Sequence, residues 1–278
     1  MNEFNPDDLI DDVVVVILAG GSGERLGGAR PKAFVGVAGE VMLAHSLRTF
    51  EQHEAVDAIV LVVPADWEGP TEALVDDLGC DRVSAIVTGG SSRAASVLAG
   101  LACVPERRGT AVLVHDAARP LVSNDVVDRV LAPLAEGYDV VVPVVAVVDT
   151  IKQLADDGSG RVVATVPRAD LRRAQTPQAC RSSALHGALA GLGDSELAAL
   201  TDCADAVARS GGSVISVDGD ERLHKITTIT DISLMEMWIS GSGAARPEAD
   251  DVLLSGDDDP EDLEPLDEDD LAGSTNDA

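Results

Sequence analysis

The 278-residue sequence predicts an α/β protein built on a doubly wound, mostly parallel β-sheet. Short apolar runs rich in β-branched residues alternate along the chain with segments that have helical spacing, and this alternation is typical of such sheets. Aromatic residues make up only 2% of the chain while hydrophobic residues make up 45%. The core must therefore be aliphatic, which suits buried parallel strands covered by helices. The length allows one large domain plus appendages.

The alternation begins at residue 13 and can be followed element by element. The predicted strands are Val13–Leu18, Ala58–Val63, Val83–Val87, Ala111–His115, Val140–Val148 and Ser213–Val217. The predicted helices are Val41–Phe50, Trp67–Leu78, a helix that ends at Cys103, a helix capped by Ser123 that reaches Leu134, Arg181–Leu192, Ser195–Ser210 and Thr230–Ser240. Right-handed crossovers place the carboxyl ends of parallel strands, and the loops that follow them, along one edge of the sheet.

The regular alternation breaks at residues 146–167. Val147–Leu154 and Arg161–Val166 flank the turn sequence DDGSG at 156–160, which predicts a projecting β-hairpin rather than another strand-helix unit. A projecting hairpin exposes apolar edges unless another surface covers them. We therefore expect a homodimer that forms through this hairpin arm.

The formal charge of −29 is concentrated at the two ends of the chain. Residues 241–278 hold 14 acids and one base, and residues 1–12 hold five acids and no base. High negative charge with scattered Leu and Pro predicts an acidic N-terminal extension at 1–12 and a disordered acidic tail at 241–278, around a domain at 13–240. No basic stripe is visible, which argues against a nucleic-acid partner.

The cysteines and the N-terminus indicate the cellular compartment. Cys80, Cys103, Cys180 and Cys203 show no C-x-x-C spacing and no accompanying histidine cluster, which favours free thiols in a reducing compartment. The acidic sequence MNEFNPDDLIDD does not resemble a signal peptide, and no apolar run approaches the roughly 18 residues that a membrane span requires. We expect a cytoplasmic protein without a membrane partner.

The first candidate site is the loop LAGGSGERLGGARPKAF at 18–34, directly after the first strand. Its small residues let the backbone approach a ligand closely, while Arg25 and Lys32 add two cations, and together these groups suit a polyphosphate. The glycine spacing fits neither the dinucleotide fingerprint nor the P-loop. A simple tight turn remains the alternative for this loop taken alone.

Further candidate residues follow later strands or lie near the same edge. The backbone of Gly89–Arg93 could read a flat base edge, with Ser96 adding a hydroxyl, although a plain helix-entry turn explains this loop equally well. Asp116 is placed to hold a ribose hydroxyl or a phosphate-bound Mg²⁺. Arg119 could pair with Asp116 or bind a second anion, and Lys225 lies in the loop before the last helix.

The motifs together carry a resemblance to a known family. G-x-G-x-R…P-K in the first loop resembles the signature of nucleotidyltransferases. With HDAARP (115–120), TVPRADLRRAQTPQ (165–178) and HKITT (224–228) in this order, the sequence resembles the 2-C-methyl-D-erythritol 4-phosphate cytidylyltransferases of the non-mevalonate isoprenoid pathway. The resemblance implies a glycosyltransferase-A-like fold with a dimerisation arm. It also implies transfer of CMP from CTP to methylerythritol phosphate, with Mg²⁺ and release of pyrophosphate.

The resemblance also implies roles for individual residues. Arg25 and Lys32 would stabilise the transition state on the triphosphate. Residues of the loops would bind the nucleotide, namely Ala19, Gly20, Gly21, Gly23, Gly90, Ser91, Ser96, Asp116 and Ala117. Four residues would position the sugar phosphate, namely Arg119, Thr150, Arg168 and Lys225, with Thr150 and Arg168 supplied across the dimer. Asp116 would also be the one protein group near a metal that is bound mainly through phosphates.

The chemistry agrees with these roles. A phosphate nucleophile is already ionised at neutral pH, so the reaction needs fixed cations and backbone amides rather than a general base. This explains motifs that contain Arg and Lys but no Ser-His-Asp or Cys-His set. Three competing hypotheses stay open: a cytidylyltransferase acting on ribitol 5-phosphate, a sugar-phosphate uridylyl- or guanylyltransferase, and a non-catalytic nucleotide-binding protein that works through its acidic tail.

Overall fold

The computed structural model describes residues 9–21, 23, 26 and 30–241. The strands are β1 (Asp12–Leu18), β2 (Gly36–Val37), β3 (Glu40–Val41), β4 (Ala58–Val63), β5 (Val83–Thr88), β6 (Thr110–Asp116), β7 (Val140–Ala146), β8 (Ile151–Leu154), β9 (Val162–Val166), β10 (Arg172–Ala174), β11 (Gln178–Arg181) and β12 (Val214–Asp218). The α-helices are α1 (Met42–Gln52), α2 (Glu68–Leu78), α3 (Arg93–Leu101), α4 (Asn124–Ala135), α5 (Ser182–Leu189), α6 (Asp194–Ala199), α7 (Cys203–Arg209) and α8 (Ile229–Ser240).

The core of the fold is an eight-stranded sheet in the order β10-β7-β11-β6-β1-β4-β5, with β12 also pairing with β7. Strand β1 lies at its centre and pairs in parallel with β4 and β6. Strands β4 and β5 are parallel, as are β7 and β12. The prediction of a mostly parallel, doubly wound sheet is confirmed.

Alternate residues of β1 enter two separate hydrophobic cores. Val15 and Ile17 are fully buried in a core that includes residues of α1 and α4. Val16 is fully buried in the other core, together with residues of α3, α5 and α7. Because successive side chains of a strand point to opposite faces, the unbroken apolar run at 13–17 is what a strand covered by helices on both faces requires.

Two strands of the eight-stranded sheet, β10 and β11, and the short pair β2 and β3 were missed in the sequence. Strand β11 pairs antiparallel with β6 on one side and with β7 on the other, so it separates two parallel strands. Strand β10 also pairs antiparallel with β7. The four residues of β11, QACR, are all buried, but they form no β-branched run and show no alternation that would predict a strand.

Several predicted boundaries need correction. The helix predicted at Ser195–Ser210 is two helices, α6 and α7, and Asp202 begins the second by accepting a hydrogen bond from the backbone N–H of Asp205. Helix α8 begins at Ile229, one residue before Thr230. The carboxylate of Asp231 accepts hydrogen bonds from the backbone N–H groups of Thr227 and Thr228 at its start.

The predicted hairpin is present as β8 and β9, which pair antiparallel in a two-stranded sheet of their own. Strand β7 ends at Ala146 and β8 begins at Ile151, so the arm starts later than Val147. Apolar side chains on the arm and next to it are exposed, including 67% of Val148 and 53% of Leu154. The structure therefore leaves an uncovered apolar surface where the sequence predicts a dimer contact.

The ends of the chain cannot be compared with their predictions. Residues 1–8 and 242–278, which contain most of the acidic extension and tail, lie outside the described residues. Among the helices that the structure does describe, none has the length and apolar character needed to cross a membrane.

Candidate active site

Three loops that follow parallel strands meet at one cavity of about 530 Å³. The strands β1, β4 and β6 end in register, with Leu18 opposite both Val62 and Asp116. Val63 of β4 is in turn opposite Thr88, the last residue of β5, so the loops after β1, β5 and β6 leave from the same edge of the sheet. Most predicted site residues line this cavity, namely Ala19, Gly20, Gly21, Gly23, Lys32, Gly90, Ser91, Ser96, Asp116, Ala117 and Lys225. A volume of this size suits a small-molecule ligand.

The first glycine loop holds Lys32 at the cavity. The backbone N–H of Lys32 donates to the carbonyl of Gly21 at 2.9 Å, so the segment that carries the lysine lies against the loop. Gly23 has a φ of +71°, and an added Cβ would lie 3.1 Å from both the backbone N of Lys32 and the carbonyl oxygen of Arg30. Glycine at this position thus permits both the turn and the close approach. Arg25 lies outside the described residues.

The second glycine loop is fixed by α3. The hydroxyl of Ser96 accepts from the backbone N–H of Gly90 at 3.1 Å and donates to the carbonyl of Ser92 at 2.9 Å. A Cβ on Gly90 would lie 2.5 Å from the Cβ of Ala95, so only glycine fits here. The hydroxyl of Ser96 is therefore engaged in holding the loop, while the backbone of Gly90 and Ser91 faces the cavity.

Asp116 is the anionic centre of the site. It ends β6 rather than following it, and it is buried. One carboxylate oxygen accepts from Nε of Arg93 at 3.3 Å and the other from Nζ of Lys225 at 2.8 Å. Burial alone raises the pKa of Asp116, but the charges of Arg93 and Lys225 outweigh burial and hold the pKa well below its usual range. The carboxylate is therefore ionised at any physiological pH.

A buried hydrogen-bond chain supports the backbone of Asp116. Nε2 of His115 lies 3.1 Å from the carbonyl of Arg119, so a neutral ring carries its proton on Nε2. Nδ1 then accepts from the hydroxyl of Thr176 at 3.3 Å, and this hydroxyl accepts from the backbone N–H of Asp116 at 3.0 Å. Burial lowers the pKa of His115 to about 4, so the ring is neutral at pH 7. His115 is a packing and hydrogen-bonding residue, as its lack of ligand spacing indicates.

The sequence indicated no role for the side chain of Arg93, although the structure places it at the site. It lines the cavity and binds Asp116, and its Nη1 lies 3.9 Å from Sγ of Cys203. It is also the first residue of α3, where a cation opposes the helix dipole. That unfavourable position was a usable signal, because an arginine there needs an anionic partner nearby.

Three of the predicted positioning residues do not line this cavity. The guanidinium of Arg119 donates to the carbonyl oxygens of Leu223 and Ala174, and its buried Nε has no hydrogen-bond partner. Thr150 precedes the arm, and Arg168 follows it and donates to the carbonyl of Val148. Both are exposed, and their proposed roles depend on a second subunit.

The fold and the site define an α/β nucleotidyltransferase, because glycine-rich loops and fixed cations enclose one cavity at the carboxyl edge of the sheet. The family model described as 2-C-methyl-D-erythritol 4-phosphate cytidylyltransferase matches residues 13–240. The chain belongs to this family.

Similar proteins agree with this assignment. The chain is 40% identical over 241 residues to the 2-C-methyl-D-erythritol 4-phosphate cytidylyltransferase of Nocardia farcinica, covering 87% of this chain and 100% of that protein. It is 40% identical over 227 residues to the enzyme of the same name from Streptomyces coelicolor, covering 80% and 82%. A crystal structure of a 4-diphosphocytidyl-2C-methyl-D-erythritol synthase superposes with a TM-score of 0.69 and 31% identity, covering 83% of this chain and 99% of that chain.

Proposed function

We propose that the protein transfers CMP from CTP to 2-C-methyl-D-erythritol 4-phosphate, producing 4-diphosphocytidyl-2-C-methyl-D-erythritol and pyrophosphate for isoprenoid precursor synthesis. The observation that carries the proposal is the convergence of Lys32, Asp116 and Lys225 on one cavity that two glycine-rich loops also line. The family assignment supports the choice of acceptor over ribitol 5-phosphate.

The arrangement suits a displacement at phosphorus between two anions. An oxygen of the acceptor phosphate attacks the α-phosphorus of CTP, and the bond to the β-phosphate breaks as pyrophosphate leaves. Negative charge then grows on the α-phosphate and on the leaving group, and fixed cations stabilise it without a general base. We assign this role to Lys32 together with Arg25, and we assign the acceptor phosphate to Lys225.

The residues of the cavity fit a magnesium ion that is bound chiefly by phosphates. Among the residues that the structure describes, no group of three His, Cys, Asp or Glu side chains could enclose a metal, and Asp116 is the carboxylate that lines the cavity. Mg²⁺ commonly keeps its waters and binds one or two carboxylates plus substrate phosphates. When bound, the ion would neutralise triphosphate charge, and Asp116 would hold its protein side.

The remaining parts of the proposal concern the second subunit and the compartment. Arg168 and Thr150 flank an arm with exposed apolar side chains, which supports a homodimer in which each arm serves the partner's acceptor site. Arg119 would complete that site through its buried, unpartnered Nε. The four cysteines are free, which supports a location in the reducing cytoplasm.

Pyrophosphate release from CTP tests this function directly. We expect turnover with methylerythritol phosphate and little with ribitol 5-phosphate, and CTP should be preferred to UTP or GTP.

Replacement of Lys32 by Met should lower kcat by about 10²-fold, the cost of losing one oxyanion donor. Arg209→Met is the matched control, because Arg209 pairs with Asp205 on the surface of α7. No turnover with either acceptor would refute the proposed function, whereas an effect of Lys32→Met on KM alone would refute the transition-state role of Lys32.

A further inference from the structure

Two cysteines lie together behind the cavity, and the proposed reaction uses neither. Cys180 is fully buried in β11, and Cys203 is the first residue of α7 with 3% of its surface exposed. The side chains of the two cysteines shift each other's pKa although they are 23 residues apart in the chain, and the backbone N–H of Cys203 donates to Oε1 of Gln178, two residues before Cys180, at 3.0 Å. They therefore form a preassembled pair in the interior.

Arg93 connects this cysteine pair to the site. Its Nη1 lies 3.9 Å from Sγ of Cys203, while its Nε lies 3.3 Å from the carboxylate of Asp116. Its buried Nη2 has no hydrogen-bond partner. The guanidinium is thus held by a sulfur at one end and by the site carboxylate at the other.

A second, small cavity adjoins Cys203. It has a volume of about 10 Å³, which is about the size of one water molecule, and both Arg93 and Cys203 line it. Arg93 also lines the large cavity, so the two cavities share this residue. Hydrogen peroxide is a small, uncharged two-electron oxidant of thiols, so it is the class of oxidant that could reach a buried cysteine most readily.

We propose that peroxide oxidises Cys203, and that the resulting disulfide between Cys203 and Cys180 lowers nucleotidyl transfer by releasing the guanidinium of Arg93 from its sulfur partner. This inference rests on the function proposed above, since nucleotidyl transfer is the activity that is lowered. It assigns a modification site to two residues that the reaction itself leaves unused.

The chemistry of the pair is balanced with peroxide as the only oxidant. The thiolate of Cys203 attacks one peroxide oxygen and the O–O bond breaks, giving a sulfenic acid and hydroxide, which takes up a proton to form water. The Cys180 sulfur then attacks the Cys203 sulfur and a second water leaves, so two thiols lose two electrons to one peroxide. An added dithiol reverses the step by thiol–disulfide exchange.

The surroundings of the two sulfurs favour Cys203 as the one that reacts first. The hydrogen bond from Cys180 and the adjacent Arg93 lower the pKa of Cys203 although burial opposes them. The hydrogen bond to Cys203 and burial raise the pKa of Cys180. The thiolate is the nucleophilic form, so the two cysteines have the distinct roles that a sulfenic acid and a resolving thiol require.

The disulfide would act on the site through Arg93. Formation of the S–S bond draws the Cys203 sulfur towards Cys180, so it weakens the contact of 3.9 Å that Nη1 of Arg93 makes with this sulfur in the reduced protein. The guanidinium of Arg93 can then rotate, and the Asp116 carboxylate that it binds is held less firmly. Lys225 binds the same carboxylate, so its position also becomes less fixed. A displacement of about 1 Å in a catalytic constellation can cost 10²-fold in rate.

The test uses the full-length protein in a Cys103→Ser background, because Cys103 is exposed and would react with peroxide independently. Peroxide treatment should give a peptide pair linked through Cys180 and Cys203 by mass spectrometry. It should also lower pyrophosphate release by about tenfold or more, and dithiothreitol should restore both. Cys203→Ser, compared with its own untreated activity, should be insensitive to peroxide. Cys180→Ser should accumulate sulfenic acid at Cys203 without a linkage.

Three results would overturn the inference. The first is that both cysteines are still free thiols when the peroxide-treated protein is denatured and alkylated. The second is a complete Cys180–Cys203 linkage without loss of activity. The third is a Cys203→Ser variant whose activity is as sensitive to peroxide as that of its parent. The linkage is measured without substrate, so it is independent of the proposed reaction. A protein that forms the linkage but turns over no acceptor would refute the proposed function instead.

Discussion

At the scale of single residues, Asp116 organises the charges of the site. Its two carboxylate oxygens are bound by Arg93 and by Lys225, which the chain supplies from positions 23 residues before it and 109 residues after it. Removing one charged group from a buried ion-pair network leaves the remaining charges unpaired. The resulting loss of free energy is larger than the net stabilisation that the intact network provides. The positions of both cations should therefore depend on this carboxylate.

Replacing Asp116 by Asn tests this dependence. The variant keeps the shape of the side chain but removes its charge, so Arg93 and Lys225 repel each other and the proposed Mg²⁺ contact is weakened. We expect kcat/KM to fall by about 10²-fold or more, as for other preorganised electrostatic groups. Asp125→Asn is the matched control, because Asp125 is exposed on α4. Equal kcat/KM values for the two variants would contradict the role of Asp116.

At the scale of elements, the inserted strand β11 joins the two halves of the sheet, and its last residue carries a second structural function. Arg181 is fully buried, and its guanidinium donates to the carbonyl oxygens of Leu134, Tyr138 and Arg108. The carbonyl of Leu134 lies in the last turn of α4 and also accepts from the backbone N–H of Gly137, so Arg181 adds a charged donor at the end of this helix. Strand β11 therefore holds α4 and β7 against the sheet.

Replacing Arg181 by Met should destabilise the fold without altering the site. The variant fills the space but leaves one buried and two partly buried carbonyl oxygens without this donor, which should lower the free energy of unfolding by about 2–4 kcal/mol. Urea denaturation measures this value. Arg209→Met serves as the control, because it removes an exposed i,i+4 pair worth about 0.2–0.5 kcal/mol. A loss below about 1 kcal/mol for Arg181→Met would show that the carbonyls find other partners.

The arm is the element for which we propose a role at another subunit. Strands β8 and β9 pair with each other in a sheet of their own, and Leu154 and Val162 are each more than half exposed. Exposed apolar strands with no cover in their own chain are typical of interfaces.

Introducing charge on the arm tests the proposed homodimer. Leu154→Asp combined with Val162→Asp should convert a dimer to a monomer in analytical ultracentrifugation, because burying two carboxylates in an apolar contact is costly. Turnover should fall with it, since Arg168 would no longer reach a partner's site. Asp157→Lys at the tip of the arm is a control that changes charge away from the apolar side chains. A wild-type monomer with full activity would refute the arrangement.

At the scale of the whole molecule, stability depends on a neutral buried histidine between charged neighbours. Burial lowers the pKa of His115 to about 4 from 6.5, Asp116 opposes this shift, and Arg119 adds to it. Below pH 6.5 the unfolded chain binds a proton that the native protein does not bind until pH 4. The free energy of unfolding must therefore fall as the pH falls through this window.

Stability measured against pH should reveal this proton. Between pH 6.5 and 4 we expect the wild type to lose up to roughly 3 kcal/mol more than His115→Gln, from a pKa difference of about 2.5 units. Carboxylates with lowered pKa values, among them Asp116, Asp231 and Glu40, lose their stabilisation in both proteins as the pH falls below about 4.5, so the difference between the two curves isolates His115. Above pH 7 the two proteins should show parallel curves. Parallel curves across the whole range would contradict a neutral His115.

The sequence by itself determined the parallel strands, the glycine loops and the common edge on which they meet. These features depend on local periodicity and on the fixed hand of strand-helix-strand units, which a chain reveals over a few residues at a time. The same local signals predicted the hairpin. Lys32, Asp116 and Lys225 could be assigned to one site because each follows or precedes an element of known direction.

Only the tertiary structure decided which groups satisfy one another. Strand β11 takes its antiparallel place from the gap between β6 and β7, not from its own four residues. Arg93 meets Cys203 across 110 positions of the chain, and Arg119 donates to the carbonyl of Leu223 across 104. The partner of a buried charged side chain is the group that the folded chain places within hydrogen-bond distance of it. Such pairings join distant positions, so no local periodicity in the sequence predicts them.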